Sequence, residues 1–347
     1  MKIGIDIRNT SKNKKNFTKD FVEYLFLHKK EHLLNVYADK LFEGEAKTVN
    51  EKFSTFWGEQ TLFLQQLKKD KNDVIITFDE TFPVFYNGDV IQVIPSLESI
   101  LYPDLENTKL LKKYSHLYTI KKNLKNAKKI VCFTENTQRE LNEKLNISEE
   151  KILTIAPFFP SSPEVNLTID VKAKLGIQGD YFIYDYNYYS NNNLKRVLEA
   201  IKEIAKTREI FLVILGNKNA NNREIRELIL SLDMSKNILF AGNPDGNELG
   251  AYYKESLGVL YPIIYDNFPM TLNHAVNYNT AILASDNTET RNIFGDSITY
   301  FSPISVSSMV KNITAFLESE KKVVNYEEVK NKYNIKDFYN NLISIIS

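Results

Sequence analysis

The sequence is poor in glycine. Twelve glycines in 347 residues is about half the usual share of ~7%. Glycine provides the tight turns and close backbone approach on which phosphate-cradling loops depend, so this chain has few such loops to offer. Cysteine is scarcer still, since Cys132 stands alone. That excludes an intramolecular disulfide framework and a cysteine-based zinc site. The four histidines, His28, His32, His116 and His274, are scattered along the chain and argue against a transition-metal site. Neither sign of charge is in excess, with 44 Lys+Arg against 44 Asp+Glu. No overall field points to nucleic acid or an anionic membrane, although a local basic patch stays open. Long hydrophobic runs are missing as well. Ile210 to Leu215 is typical, far below the ~20 residues of a spanning helix. The opening Met1–Arg8 alternates apolar and polar residues and lacks the apolar stretch of a signal peptide, which implies a cytoplasmic protein. G-x-G-x-x-G, the P-loop, H-E-x-x-H, G-x-S-x-G and D-x-D are all absent, so the chemistries those motifs mark have no support here.

What is present is a chain able to fold. At 43% hydrophobic it can bury sizeable cores, and at ~100–200 residues per domain it predicts two domains. Strands are expected at 2–7, 34–38, 73–78, 90–94, 129–133 and 152–155. After a break they resume at 181–185, 210–215, 237–241, 258–261, 281–284 and 298–301. Helical patterns lie between many of them. In 193–206, Leu194, Val197, Leu198, Ile201 and Ile204 share one helical face. Strand–helix alternation implies parallel βαβ units with helices on both faces of each sheet. The run Ala156 to Pro163 holds three prolines, continues neither helix nor central strand, and reads as a linker. The last helix, 335–347, carries Ile335, Phe338, Leu342, Ile343 and Ile346, and is expected to return to the first domain. Ligands of such α/β domains bind at the carboxyl ends of the strands. The tyrosines at 181, 184, 186, 188 and 189 read as ring-stacking groups or, more simply, as core. The lysines in 109–113 and 121–125 read either as solvated helix faces or as contacts to anionic headgroups.

One stretch selects a chemistry. It runs from Val259-Leu260-Tyr261-Pro262 through Asp266-Asn267-Phe268-Pro269-Met270 and His274-Ala275. It continues through Ala284-Ser285-Asp286 and Glu289 to Gly295-Asp296. This order resembles the second domain of GT-B glycosyltransferases of the retaining family 4 type, the glycosyl transferases group 1. Ile214-Leu215-Gly216 and Phe240-Ala241-Gly242 match further strand ends of that family. Gly4-Ile5-Asp6-Ile7-Arg8, Val131-Cys132-Phe133-Thr134 and Ala156-Pro157 match its first domain. The resemblance implies an α/β GT-B fold with two facing Rossmann-like domains. The first would cover 1–158 together with the helix 335–347, and the second 164–334.

The resemblance also implies a site. Two glutamates of the family, with seven residues between them, fall on Asp266, the candidate catalytic carboxylate, and on His274. His274 reads either as a ribose contact or as a helix residue satisfied locally. Donor contacts are implied for Asn267, Phe268, Pro269, Met270, Gly216 and Asn192. Lys195, Arg196 and Lys218 are the nearest cations for a diphosphate, each with solvated surface charge as its other reading. The family's Arg-Lys-Asn triplet falls on Asn191-Asn192-Asn193, which also read as helix N-caps. A glycine-rich loop of the family falls on 16–21, which here has no glycine. Another family glycine falls on Pro269, and Tyr186 stands where a third is expected. On the acceptor side the implied residues are Arg8, Lys19, Ser96 and Glu98. The expected activity is transfer of a sugar from a nucleotide-sugar to a glycan or lipid-linked acceptor, as in building cell-envelope polysaccharide. No metal, other cofactor or nucleic acid is expected; the expected location is the cytoplasm, either free or in peripheral contact with the inner face of the membrane. The alternative is a non-catalytic GT-B subunit that binds a glycan or a partner glycosyltransferase subunit.

Overall fold

The computed structural model describes residues 1–8, 12–28, 32–38, 47–48, 56–101, 110–165, 168–186, 193–216, 222–265, 267–320 and 324–346. The chain forms two compact units, Met1–Phe158 with Tyr333–Ser347, and Phe159–Lys332. The change of unit falls between two adjacent phenylalanines. The Phe158 ring stacks on Phe17 at 4.2 Å within unit 1, and the Phe159 ring packs on Phe268 at 4.9 Å within unit 2. The rest of the proline-rich segment is tied to unit 2. Asn277 donates to the Pro160 carbonyl, and the Tyr278 hydroxyl to the Pro163 carbonyl.

Unit 1 holds a parallel sheet of seven strands in the order β3-β2-β1-β4-β5-β6-β7. They are β1 Lys2–Ile7, β2 Leu33–Ala38, β3 Lys47–Thr48, β4 Val74–Thr77, β5 Asp89–Ile94, β6 Lys129–Cys132 and β7 Ile152–Thr154. Unit 2 holds six parallel strands in the order β10-β9-β8-β11-β12-β13. These are β8 Asp180–Asp185, β9 Ile210–Leu215, β10 Ile238–Gly242, β11 Gly258–Tyr261, β12 Ile282–Ser285 and β13 Thr299–Phe301. Both sheets reverse direction of strand order at one point, between β1 and β4 and between β8 and β11. Those crevices at the carboxyl ends are where doubly wound sheets bind ligands. Continuous apolar runs such as Ile210–Leu215 suit strands covered on both faces. The edge strand β3 has only two residues and carries no periodicity by which sequence could reveal it.

Helices cover the sheets as the spacing predicts. In Leu194–Ala205 the five residues Leu194, Val197, Leu198, Ile201 and Ile204 are all buried. The last helix, Ile335–Ser344, lies in unit 1, where Phe338 is fully buried among Phe17, Phe21, Phe133 and Phe158, with ring centroids 5.3–5.9 Å away. The Tyr339 hydroxyl adds a 2.8 Å bond to the His28 carbonyl. Residues 16–21, aligned above with a glycine-rich loop, instead lie inside the helix Lys12–His28. Phe17 and Phe21, one turn apart, both enter the core, so glycine is absent because the backbone there is helical.

Candidate functional site

At the crevice of unit 2 the chain leaves β8 at Asp185 and β11 at Tyr261. Asn193 opens the helix Leu194–Ala205 in the left-handed region, with φ 64°, a conformation asparagine tolerates better than most residues. Its side chain does not cap the helix, which corrects the capping role expected for it. The amide donates instead to the Pro262 carbonyl at 3.0 Å and to the Pro303 carbonyl, and its oxygen accepts from Arg196 Nη1 at 2.7 Å. One asparagine therefore pins together the loops after β8, β11 and β13. At the end of β8, Asp185 is buried and accepts a 3.4 Å bond from the Tyr253 hydroxyl.

The loop after β11 reaches Asn267-Phe268-Pro269 and then a 3-10 turn, Met270–Leu272. Pro269 has φ −79° and ψ 58°, and the Met270 amide donates to the Phe268 carbonyl at 2.8 Å. That is an inverse γ-turn, whose negative φ matches the proline ring. Proline in place of the family's glycine thus fits the local backbone, and the loss of glycine at this position is not a broken turn. Phe268 and Met270 are buried. The Thr271 hydroxyl oxygen is shielded from solvent and meets no hydrogen-bond partner among the described residues. Buried hydroxyls nearly always have a partner, so this oxygen is open to one supplied from outside. At the end of β9, Gly216 has φ 131° and its amide donates to the Gly242 carbonyl at 2.7 Å. A side chain there would be strained.

His274 follows on the helix Asn273–Tyr278. It is buried, with Nδ1 2.8 Å from the Ser162 hydroxyl and its ring parallel to that of Tyr278. Burial pulls its pKa from 6.5 down to about 4, so the imidazole is neutral near pH 7. It ties the incoming segment 160–163 to this helix through a partner 112 residues away.

The crevice of unit 1 is filled differently. Asp6 and Arg8 alternate on the strand end and share one side. The Arg8 guanidinium contacts Asp6 at 2.8 Å, Glu59 at 3.5 Å and Asp79 at 4.0 Å, and lies 3.5 Å from the centre of the Phe63 ring. Thr77 donates to Asp6, and Thr81 to Glu59. All four charged side chains are nearly or wholly inaccessible to solvent. Burial alone would lower the arginine's pKa, but Asp6, Asp79 and Glu59 outweigh it and hold Arg8 charged. Burial pushes Glu59 above its ordinary 4.5, against the opposing pull of Arg8. Glu59 opens a π-helical turn, Glu59–Phe63, a rare geometry often found at functional positions. Among the described residues no group of three or more His, Cys, Asp or Glu could hold a metal ion.

Several solved structures share this architecture. A glycosyltransferase from Rickettsia africae aligns with TM-score 0.69 at 14% identity, over 99% of this chain and 97% of its own. Alr3699/HepE of Anabaena, solved with UDP and glucose, aligns with TM-score 0.74 at 10% identity, over 100% and 99%. A putative UDP-N-acetylglucosamine 2-epimerase from Listeria monocytogenes aligns with TM-score 0.63 at 12% identity, over 99% and 95%. At such identities the likeness shows the GT-B fold alone, and the fold serves an epimerase as well as transferases. No curated protein sequence matches the chain. The sequence of unit 2 decides the matter, because residues 170–333 match the family model of the glycosyl transferases group 1. Unit 2 is a group 1 glycosyltransferase domain.

Within the group 1 domain the structure brings Asn267, Phe268, Pro269 and Met270 together on one loop, with His274 on the helix that follows. Lys195 is well exposed and pairs loosely with Glu199 at 3.9 Å. Arg196 is held by Asn193. Asp266, Asn192 and Lys218 lie outside the described residues. In unit 1 the expectation for Arg8 is corrected, because a guanidinium buried among three carboxylates is not presented to an acceptor. Lys19 points outward and pairs with Glu23 at 3.7 Å. Ser96 and Glu98 follow β5, where the Ser96 hydroxyl accepts from the Glu98 amide. Sequence reasoning missed Asp6, Glu59, Asp79, Asp185 and Thr271. Only Asp6 carried a signal, as a carboxylate inside an apolar strand two residues from Arg8.

Proposed function

We propose that the chain transfers a sugar from a nucleotide-sugar donor to a glycan or lipid-linked acceptor. The donor is held by the group 1 domain, and the acceptor by unit 1. The observation that carries this reading is the group 1 match across the domain whose carboxyl-edge loop 267–272 holds a buried Thr271 hydroxyl with no partner among the described residues. Glycosyl and phosphoryl oxygens are the partners such a hydroxyl can take. Lys195, in its loose surface pair beside the same crevice, has the mobility to turn to a diphosphate. We read the transfer as retaining and metal-independent, with Asp266 as the reacting-side carboxylate and the membrane's inner face as the place of work. A UDP-sugar is the first donor to try, since Anabaena HepE was solved with UDP-glucose.

Calorimetry against UDP-, GDP-, TDP- and CMP-sugars, followed by turnover with lipid-linked acceptors, tests this. Millimolar silence across the panel ends it. One observation favours a second reading, a non-catalytic GT-B subunit. The family's second acidic position is filled by His274, neutral and engaged with Ser162. Binding of a nucleotide-sugar without turnover, together with co-purification of a catalytic partner, would select that reading. Thr271→Val should weaken donor binding under the first reading and leave glycan or partner binding intact under the second.

A further inference from the structure

Unit 1 has a surface feature that sugar transfer does not use. The helix Leu110–Asn126 reads LLKKYSHLYTIKKNLKN, with five lysines and no acidic residue. Thr119, Ile120, Asn123 and Leu124 face the core. Tyr118, Lys121, Lys122 and Lys125, spaced three and four apart, share the outward side. The loop between β4 and β5 adds Phe85. Phe85 is 63% exposed and Tyr118 64%. The Lys122 ammonium sits 5.1 Å from the Phe85 ring centre and 5.9 Å from that of Tyr118. Of the acids on the adjoining segments, Asp89 pairs with Lys128 at 2.5 Å and Glu80 lies 3.5 Å from the His116 imidazole.

A single exposed apolar side chain needs no explanation. Two large rings flanking a lysine, on a helix without acids, form a surface of defined chemistry. The rings offer an apolar body, the tyrosine a polar tip, and the lysines long apolar stems with charged ends. This combination matches the boundary between hydrocarbon and anionic headgroups. A soluble acidic partner would satisfy the lysines and leave the rings in water.

We propose that Phe85, Tyr118, Lys121, Lys122 and Lys125 form a docking face for an anionic lipid surface. The two rings enter the headgroup layer and the lysines meet lipid phosphates. The proposal rests on the reading of a lipid-linked acceptor and deepens it by naming the face that meets the membrane.

The test is co-sedimentation of the full chain, without nucleotide, with vesicles of equal phosphatidylglycerol and phosphatidylcholine, or of phosphatidylcholine alone. Anionic vesicles should bind it at least ~10-fold more tightly, since each lysine near such a surface adds about fivefold. The double variant Phe85→Ser/Tyr118→Ser should lose about tenfold or more on the anionic vesicles. Lys121→Glu/Lys122→Glu should lose more still. All these positions lie on the surface, and circular dichroism verifies the fold of each variant. Equal binding to both vesicle types overturns the proposal, as does no binding, or binding that the ring variant leaves unchanged. Nucleotide-sugar calorimetry on the same variants separates the two readings. Vesicle binding without donor binding keeps the docking face and removes the transferase reading, whereas donor binding without vesicle binding does the reverse.

Discussion

Where its sheet reverses strand order, unit 1 buries an arginine among three carboxylates, and unit 2 buries an asparagine, a neutral histidine, backbone carbonyls and one carboxylate, Asp185, with no arginine beside it in the pairs described. Both arrangements sit at the carboxyl ends of strands, in sheets of the same order apart from one edge strand. The charged set is mutually satisfied. Asp6, Asp79 and Glu59 face Arg8, and Thr77 and Thr81 occupy remaining lone pairs. A ligand could enter there only by breaking it. The set in unit 2 instead holds three loops in place through Asn193 and contains a buried Thr271 hydroxyl with no partner among the described residues. Equal topology therefore does not mean equal availability. One crevice is closed by its own chemistry, and the other is framed by it.

The strongest way to break this contrast is Arg8→Met. Removing the cation strands three buried carboxylates and should destabilise unit 1 by about 3–5 kcal/mol. Urea unfolding followed by hydrogen exchange would show the loss in unit 1 alone. The double variant Arg8→Met/Glu59→Gln should regain part of it. Full stability of Arg8→Met would mean that the ion cluster does not hold the crevice.

The second test is pH. His274 has its folded value lowered from 6.5 to about 4. Its contribution is fully present above about pH 6.5 and fades as pH falls toward 4, a swing of about 3 kcal/mol. Glu59 is shifted the other way, above 4.5. Its contribution is present below pH 4.5 and is lost as pH rises through the raised value. These two groups thus give the units pH slopes of opposite sign. His274→Gln should flatten the slope of unit 2, and Glu59→Gln that of unit 1, in exchange measured between about pH 4 and 8. Parallel slopes in both units would contradict the contrast.

A smaller effect is expected from Asn193→Ala. It removes two bonds to carbonyls and places alanine at positive φ, for a loss of about 2 kcal/mol. Asn193→Gly keeps the backbone conformation and should lose less. Thermal melting of unit 2 ranks the two, and the reverse order would show that backbone strain is not relieved there. The smallest change in stability is expected for Lys195→Ala, below about 0.5 kcal/mol, because its ion pair is long and exposed. If donor binding by this variant still falls about tenfold, Lys195 acts on ligand; if not, it is a surface charge.

Much of the fold was legible in the sequence. Twelve strands stand where alternation and apolar runs put them, each within two residues at either end. Local pattern suffices for that, and it failed only for β3, whose two residues carry no period. The helix over residues 16–21 was masked by alignment to a loop, although Phe17 and Phe21 already showed helical spacing. The site was less legible. Asn193 looked like an N-cap because it precedes a helix, yet its partners lie 69 and 110 residues away. Glu59 sits in a stretch without strand or motif and meets Arg8 51 residues distant. Polar groups satisfied across the fold leave no local trace, whereas buried apolar faces repeat along the chain and can be counted.

The ring of Phe338 also sets a timetable. It lies within a cage of Phe17, Phe21, Phe133 and Phe158, yet it leaves the ribosome after every residue of unit 2. The N-terminal unit, made first, is therefore completed last. Until then the faces of Phe17, Phe21, Phe133 and Phe158 that Phe338 covers lack that cover, and transiently exposed apolar surface of this kind is prone to aggregation.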